Sequence, residues 1–337
     1  MRGNSQLSFK VWVRCATFNH APYITATMDG FCLQQTDFPF LCVIIDDDSK
    51  DGEQEVIRQY LCDHFTTESV EETDDYHLTV AQHKENKNCY FAVYLLKYNH
   101  YSVKKSKEDY YQELVSGADY VALCEGDDYW IDEYKLQKQA DALDANPQAV
   151  MVYTNFKCVG ANGEPVSRPI IERFPHHSHS GDNLPTLFRY GNYVMTLTTM
   201  YRREAWQSDI LKNCPIKLDF ALTLTAALVG DFIWMPEQTA CYRSLDSGMI
   251  QSGQKKGVHW AQDIYRYYAG LVMRRECKPL SFGQRIHLTT LILMRALRKK
   301  DSQLKKDTLR IRPLSCLLLP IAFVKLKIEN LKLRIDK

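Results

Sequence analysis

Two acidic runs carry the strongest chemical signal in this sequence. The first is Ile44-Ile45-Asp46-Asp47-Asp48-Ser49-Lys50-Asp51-Gly52. An apolar stretch delivers three carboxylates to a turn that Gly52 closes. Carboxylates in such a place accept hydrogen bonds from the imide N–H of a base and from ribose hydroxyls. Asp and Ser are also ordinary turn and helix-cap residues. Three adjacent carboxylates repel one another, however, and that favours a ligand over a plain turn. The second run is Leu123-Cys124-Glu125-Gly126-Asp127-Asp128-Tyr129-Trp130. Mg²⁺ and Mn²⁺ prefer oxygen ligands, and Mg²⁺ typically keeps only one or two carboxylates plus phosphate oxygens. Alternate residues of an extended chain face one side. Glu125 and Asp127 are therefore expected to face one ligand, with Gly126 leaving room for it.

The elements that must hold these runs follow from the apolar pattern. Phe9 to Ala16, Phe40 to Ile45, Phe91 to Leu96, Tyr120 to Cys124 and Ala149 to Asn155 read as strands. Between them, Tyr23 to Gln35, Glu53 to His64, Asp109 to Ser116 and Lys135 to Ala145 have helical spacing. Alternating strands and helices predict a largely parallel α/β sheet with helices on both faces. Ligands of such sheets bind beyond the carboxyl ends of the strands, and two of those ends carry the acidic runs. Asp63 to Asn88 reads as a polar, acidic insertion with a strand at Tyr76 to Ala81. Val159 to Pro185, rich in Pro, Gly, His and Ser, reads as a loop. Tyr193 to Tyr201 is β-rich, Asp219 to Val229 reads as a helix, and Phe232 to Met235 and Thr239 to Tyr242 as short strands. The Gly/Ser/Lys segment Ser247 to Gly257 suggests a boundary, giving domains at 1–250 and 251–337. Trp260 to Arg275 and Gln284 to Lys300 are helical by pattern.

Composition narrows the function classes. The 337 residues are 45% hydrophobic and 25% charged, which excludes a disordered or fibrous chain. The formal net charge of +1 does not advertise a nucleic-acid partner. The charge is unevenly spread. Met273 to Lys337 holds 17 basic and 5 acidic residues, and the remainder 25 basic and 36 acidic. An acidic body implies a cationic ligand, and the basic helical tail implies an anionic surface. The apolar run from Leu314 to Val324, interrupted by Ser315 and Pro320, is too short to span a membrane and suits peripheral contact and packing on the rest of the chain equally. Val324 to Ile335 fits a helix or a strand pair equally. The 11 cysteines have no Cys-x-x-Cys pair, and Cys15, Cys42, Cys124 and Cys241 sit in apolar runs. They read as reduced, buried thiols, which together with a polar Met1 to Lys10 predicts a cytoplasmic protein, at most at the inner face of the plasma membrane.

At these motifs the sequence resembles the family 2 glycosyltransferases of the GT-A fold, over about residues 8 to 250. Thr17-Phe18-Asn19 is similar to the family's Thr-Tyr-Asn opening. Asp46 to Gly52 resembles its Asp-Asp-x-Ser-x-Asp-Gly. Glu125-Gly126-Asp127-Asp128-Tyr129-Trp130 resembles its Asp-x-Asp metal region in the form common among bacterial polysaccharide enzymes. The resemblance implies a nucleotide role for Thr17, Asn19, Asp46 and Asp47, with Asp47 on or near the uracil. It implies that Asp127 and Asp128, with Glu125 close by, bind Mg²⁺ or Mn²⁺ and the diphosphate. It makes Asp219 the catalytic base, at the head of its helix, and Tyr242-Arg243 the start of a loop over the donor. The family usually has a His two residues after that Arg; here Leu245 stands there.

The implied activity is inverting transfer of a sugar from a nucleotide-sugar, a UDP-sugar first of all, to a hydroxyl of a glycan or lipid-linked acceptor. The alternative is a non-catalytic nucleotide-sugar-binding subunit of a polysaccharide assembly complex. Sugar nucleotidyltransfer is disfavoured because no Gly-rich basic loop follows the first strand. Asp219 also has a plain reading as a helix cap, with Asp231 and Glu237 as rival bases. Arg202 and Arg203 are candidates for an acceptor phosphate, and His176-His177-Ser178-His179 is a weak metal candidate.

Overall fold

The structure is a computed structural model that describes residues 8–169, 171–245 and 260–335, the last five as backbone. Its sheet has ten strands: β1 (Val11–Thr17), β2 (Phe40–Asp46), β3 (Phe65–Glu72), β4 (Tyr76–His83), β5 (Cys89–Leu96), β6 (Tyr120–Leu123), β7 (Tyr129–Trp130), β8 (Ala149–Val159), β9 (Thr199–Arg202) and β10 (Asp231–Arg243). Their spatial order is β3-β4-β5-β2-β1-β6-β9-β8-β10-β7. The four central strands, β5-β2-β1-β6, are parallel, and the flanking pairs β3/β4, β4/β5, β6/β9 and β8/β9 are antiparallel. The helices are α1 (Ile24–Cys32), α2 (Glu53–His64), α3 (Glu108–Val115), α4 (Lys135–Ala145), α5 (Leu184–Tyr190), α6 (Arg203–Trp206), α7 (Asp209–Lys212), α8 (Asp219–Val229), α9 (Trp260–Arg274), α10 (Phe282–Arg298), α11 (Ser302–Ile311) and α12 (Leu319–Ile335).

The central strands are buried on both faces, which is why they read as unbroken apolar runs rather than alternating ones. Every residue of β2 and of β5 is buried. One face of the sheet joins Val11, Val13 and Cys15 of β1 to Phe40, Cys42 and Ile44 of β2, under Ile24, Met28 and Phe31 of α1. On β1's other side Trp12 meets Tyr111 of α3, ring centroids 5.3 Å apart. Gly30 lets α1 lie against β7: a Cβ there would sit 2.8 Å from the Trp130 backbone nitrogen. Trp130 is a core residue. It is buried, packs edge-on to Phe31, and donates its indole N–H to the Leu197 carbonyl at 2.9 Å.

The insertion between α2 and β5 is a full hairpin, β3 and β4, where the sequence pattern predicts one strand. Nearly all of β3 is exposed. Backbone pairing to β4 holds it, and the apolar signal that reveals a strand is therefore missing. The two short strands expected between Phe232 and Tyr242 form one long strand, β10. The loop expected from Val159 to Pro185 contains a 3₁₀ segment, Ile171–His177, and leads into α5. The expected boundary near residue 250 lies outside the described residues.

The chain divides into two compact units. The first comprises residues 1–175, 194–204 and 233–248 and contains the sheet. The second comprises residues 176–193, 205–232 and 249–337 and is helical. In the second, Tyr268 of α9 donates to the Ala221 carbonyl of α8 at 2.7 Å, and Ser281 and Gln284 form a reciprocal capping box on α10. The tail that fits helix and strand alike is helix, as α12. All 11 cysteines are free thiols.

Candidate active site

The parallel register sets three strand ends side by side. Thr17 pairs with Asp46, Asp46 with Leu95, and Arg14 with Leu123. The loops after β1, β2 and β6 therefore leave the sheet at one edge, and these loops carry the two acidic runs.

The first run is mainly a scaffold. At its centre stands Glu53, a fully buried carboxylate at the start of α2 that motif reading overlooked. It accepts the Thr17 hydroxyl, the His20 backbone N–H at 2.8 Å and the Ser49 hydroxyl at 2.8 Å. Burial raises its pKa despite those donors. Asp51 accepts the Ala21 N–H at 2.9 Å and the Glu53 N–H at 3.1 Å. Asn19, at φ 58°, donates its N–H to the Ser49 hydroxyl and accepts the Lys50 N–H, both at 2.8 Å. Left-handed backbone suits Asn better than most residues, which accounts for its place in the motif. Thr17 and Asn19 thus lock the first loop to the second through their side chains.

Asp47, expected at the base, is buried and already engaged. Its oxygens accept the backbone N–H groups of His100 at 2.8 Å and Tyr101 at 3.1 Å, and Lys107 lies 2.8 Å away. It orders the loop after β5. Asp46 is different. One oxygen accepts the Ser49 N–H and the Gln54 amide, at 3.1 and 2.6 Å, while the other is buried with no hydrogen-bond partner.

The second run sets three acids, Glu125, Asp127 and Asp128, close together. Asp128 is buried and accepts the Arg243 backbone N–H at 2.7 Å. Burial, then the charges of Asp127 and Glu125, push its carboxyl well above the usual range. Burial and the same acids, Asp128 first among them, hold Tyr242 up at about 12. Asp127 keeps a quarter of its side chain exposed, with His20 Nε2 3.9 Å from its Oδ2. Arg243 is a brace. Its guanidinium donates to the Asp127 and Ala161 carbonyls at 2.8 and 2.7 Å and lies 4.6 Å from the Tyr23 ring centroid. Gly126 does not open space for a ligand. A Cβ there would lie 2.0 Å from Thr17 Oγ1, so its lack of side chain lets the second run close onto the first.

Among the described residues no group of three His, Cys, Asp or Glu side chains is disposed to hold a metal ion by itself. The donors present still fit a hard divalent cation that takes one or two carboxylates and completes its shell from phosphate and water. Asp127 is the accessible carboxylate, Glu125 is half-buried nearby in sequence, and Asp128 points inward to Arg243.

Asp219 belongs to the second unit. It is exposed and is the first residue of α8, while Leu218 occupies the cap position without a side-chain bond. The carboxylate therefore stands in the positive field of the helix start without capping it. Its rival Asp231 is tied to Lys278 at 3.0 Å. Arg202 is committed to the Ala149 carbonyl at 2.6 Å and Arg203 to that of Ser116 at 2.5 Å, so both are structural braces. The His177 ring stacks on Tyr190 at 4.0 Å.

No family model matches the chain. It is 27% identical over 238 residues to uncharacterized proteins of Mycobacterium tuberculosis and Mycobacterium bovis, covering 70% of this chain. The match spans 59% of the length of those curated relatives. Among solved structures it is similar to S. aureus TarS 1-349 in complex with UDP, with a TM-score of 0.54 at 15% identity over 94% of this chain and 88% of that one. It is also similar to the UDP-GlcNAc complex of that protein, at 0.52 and 16% identity over 93% and 79%. The chain has the GT-A fold. One of the similar proteins of that fold, TarS, is a family 2 glycosyltransferase. The GT-A sheet here carries its two acidic runs at the edge where β1, β2 and β6 end.

Proposed function

We propose that this chain is a glycosyltransferase that takes a nucleotide-sugar, a UDP-sugar first, and transfers the sugar with inversion to a hydroxyl of a glycan or lipid-linked acceptor. The observation that carries the reading is the convergence of both acidic runs at one edge of a GT-A sheet. TarS of the same fold has been solved with UDP and with UDP-GlcNAc.

In this reading the loops after β1 and β2 form the nucleotide shelf. Thr17, Asn19, Asp46 and Asp47 act on it through loop geometry, the buried Asp46 from beneath. Asp127, with Glu125 beside it in the chain, holds the divalent cation, Mg²⁺ or Mn²⁺. That cation, when bound, offsets the charge that develops on the leaving diphosphate. Asp128 and the Tyr242-Arg243 segment hold the run in place. Asp219 accepts the proton of the attacking hydroxyl, and the acceptor oxygen enters from the face opposite the diphosphate.

The test is nucleotide release from UDP-sugars with Mn²⁺, read with and without acceptor, beside calorimetric binding of UDP. Turnover that falls about 10²-fold or more in Asp219→Asn, with UDP binding retained, is the expected result, since base catalysis contributes about 10²–10⁴-fold. Near-normal turnover in that variant removes Asp219 as base. UDP binding without any release from any UDP-sugar favours the non-catalytic subunit.

A further inference from the structure

The second unit ends in an exposed apolar stripe that the catalytic reading does not use. A 3₁₀ segment, Pro313–Leu318, runs directly into α12. Leu314 and Leu317 are 80% and 70% exposed, and Ile321, Val324 and Ile328 about half. Their spacing of three and four residues puts them on one side. The opposite side fastens the helix. Ala322 is buried, and Glu329 pairs with Arg189 at 2.7 Å and Arg298 at 2.5 Å.

The stripe has cations around it. Lys325 and Lys327 flank it on α12, and α11 exposes Lys305, Lys306 and Arg310. A cleft of about 240 Å³ shares Lys325 and Ile328 with the stripe and is also lined by Arg189, His287 and Met294. Burial, then the charges of Lys325 and Arg189, lower the His287 pKa, and Glu329, paired with Arg189, also lines the cleft. The three-four spacing would also suit a helix of a second copy. In that pairing, however, Lys325 and Lys327 beside the seam would face their own counterparts, and like charges at those positions oppose association. An anionic partner satisfies both the apolar stripe and its rim. No described helix is long and apolar enough to cross a membrane.

We propose that this face docks the chain on a lipid surface with anionic headgroups. The leucines and Val324 enter the acyl boundary, and the lysine stems lie along it with their ammonium groups at the phosphates. The proposal is independent of the donor chemistry. The test is sedimentation of the full chain with vesicles of phosphatidylcholine, alone or mixed with phosphatidylglycerol, at low and high salt. Binding to the mixed vesicles only, weakening with salt, is expected. Lys325→Glu with Lys327→Glu lowers the partition at least tenfold, as each basic residue contributes about fivefold. Leu314→Ser with Leu317→Ser lowers it comparably. Both pairs are exposed, so circular dichroism should show an unchanged fold. Equal recovery on both vesicles, or none on either, would overturn the proposal. So would concentration-dependent self-association of the full chain that the double Ser variant abolishes.

Discussion

The two acidic runs look alike in the sequence and behave differently in the fold. In the first, Asp47 has two backbone N–H donors and Lys107, and Glu53 has three donors. In the second, Asp128 has one backbone donor and two acidic neighbours that raise its pKa. The first run is a closed network that shapes loops. The second brings Asp127 and Glu125 close enough to the buried Asp128 to raise its pKa, and leaves Asp127 a quarter exposed. An acid run at a strand end is thus no single kind of object. What the surrounding backbone donates to it decides whether a carboxylate is tied into the framework or stays partly exposed.

The sharpest break of this contrast is a pair of substitutions. Asp127→Asn should cost about 10²-fold or more in metal-dependent nucleotide release while the midpoint of thermal unfolding stays put, because its carboxylate is partly exposed. Asp47→Ala should do the reverse where it hurts most, lowering stability by about 3 kcal/mol, since it strips a largely buried charge pair and leaves the buried His100 amide and the part-buried Tyr101 amide unpaired. Urea unfolding of both variants checks this. A stable Asp47→Ala protein would mean that the first run is not framework. The contact between the runs is tested by Gly126→Ala. Its Cβ meets Thr17 Oγ1 head-on, and a loss of about 1–3 kcal/mol is expected from forced overpacking.

A smaller effect concerns the ground behind the second run. Lys135, at the start of α4, is fully buried, 4.2 Å from the Trp130 ring centroid and 2.7 Å from the Gln139 side-chain oxygen. Burial, opposed by Cys124 and Asp132, pulls its pKa down to about 7. Between about pH 7 and its unfolded value of about 10.4 the unfolded chain holds the extra proton. Stability should therefore rise with pH across that window, by up to about 1.4 kcal/mol per unit. Lys135→Met should flatten the rise. Unfolding midpoints measured from pH 7 to 9 in both proteins decide it, and identical slopes would mean that Lys135 is charged in the folded state.

Much of the framework is legible in the sequence. Glu53–His64 and Lys135–Ala145 match the helical spacing end for end, and the strands carrying the acidic runs lie where apolar stretches stop at carboxylates. The exposed strand β3 was not legible, because apart from Phe65 its residues are exposed and pairing to β4 holds them. At the site, the motif residues could be picked out by type and order. Their duties could not. Glu53 lacks a motif position to mark it, and Asp46 and Asp47 are neighbours in sequence with opposite circumstances.

By itself the sequence determined the central strands and the helices between them, since periodicity and turn chemistry are local. It also determined that carboxylates accumulate where parallel strands end. Only the tertiary structure decided which carboxylates are free to act. That depends on backbone N–H groups from distant segments, His100 and Tyr101 for Asp47 and Arg243 for Asp128. Such donors belong to every residue type but proline, so no pattern of side chains announces them.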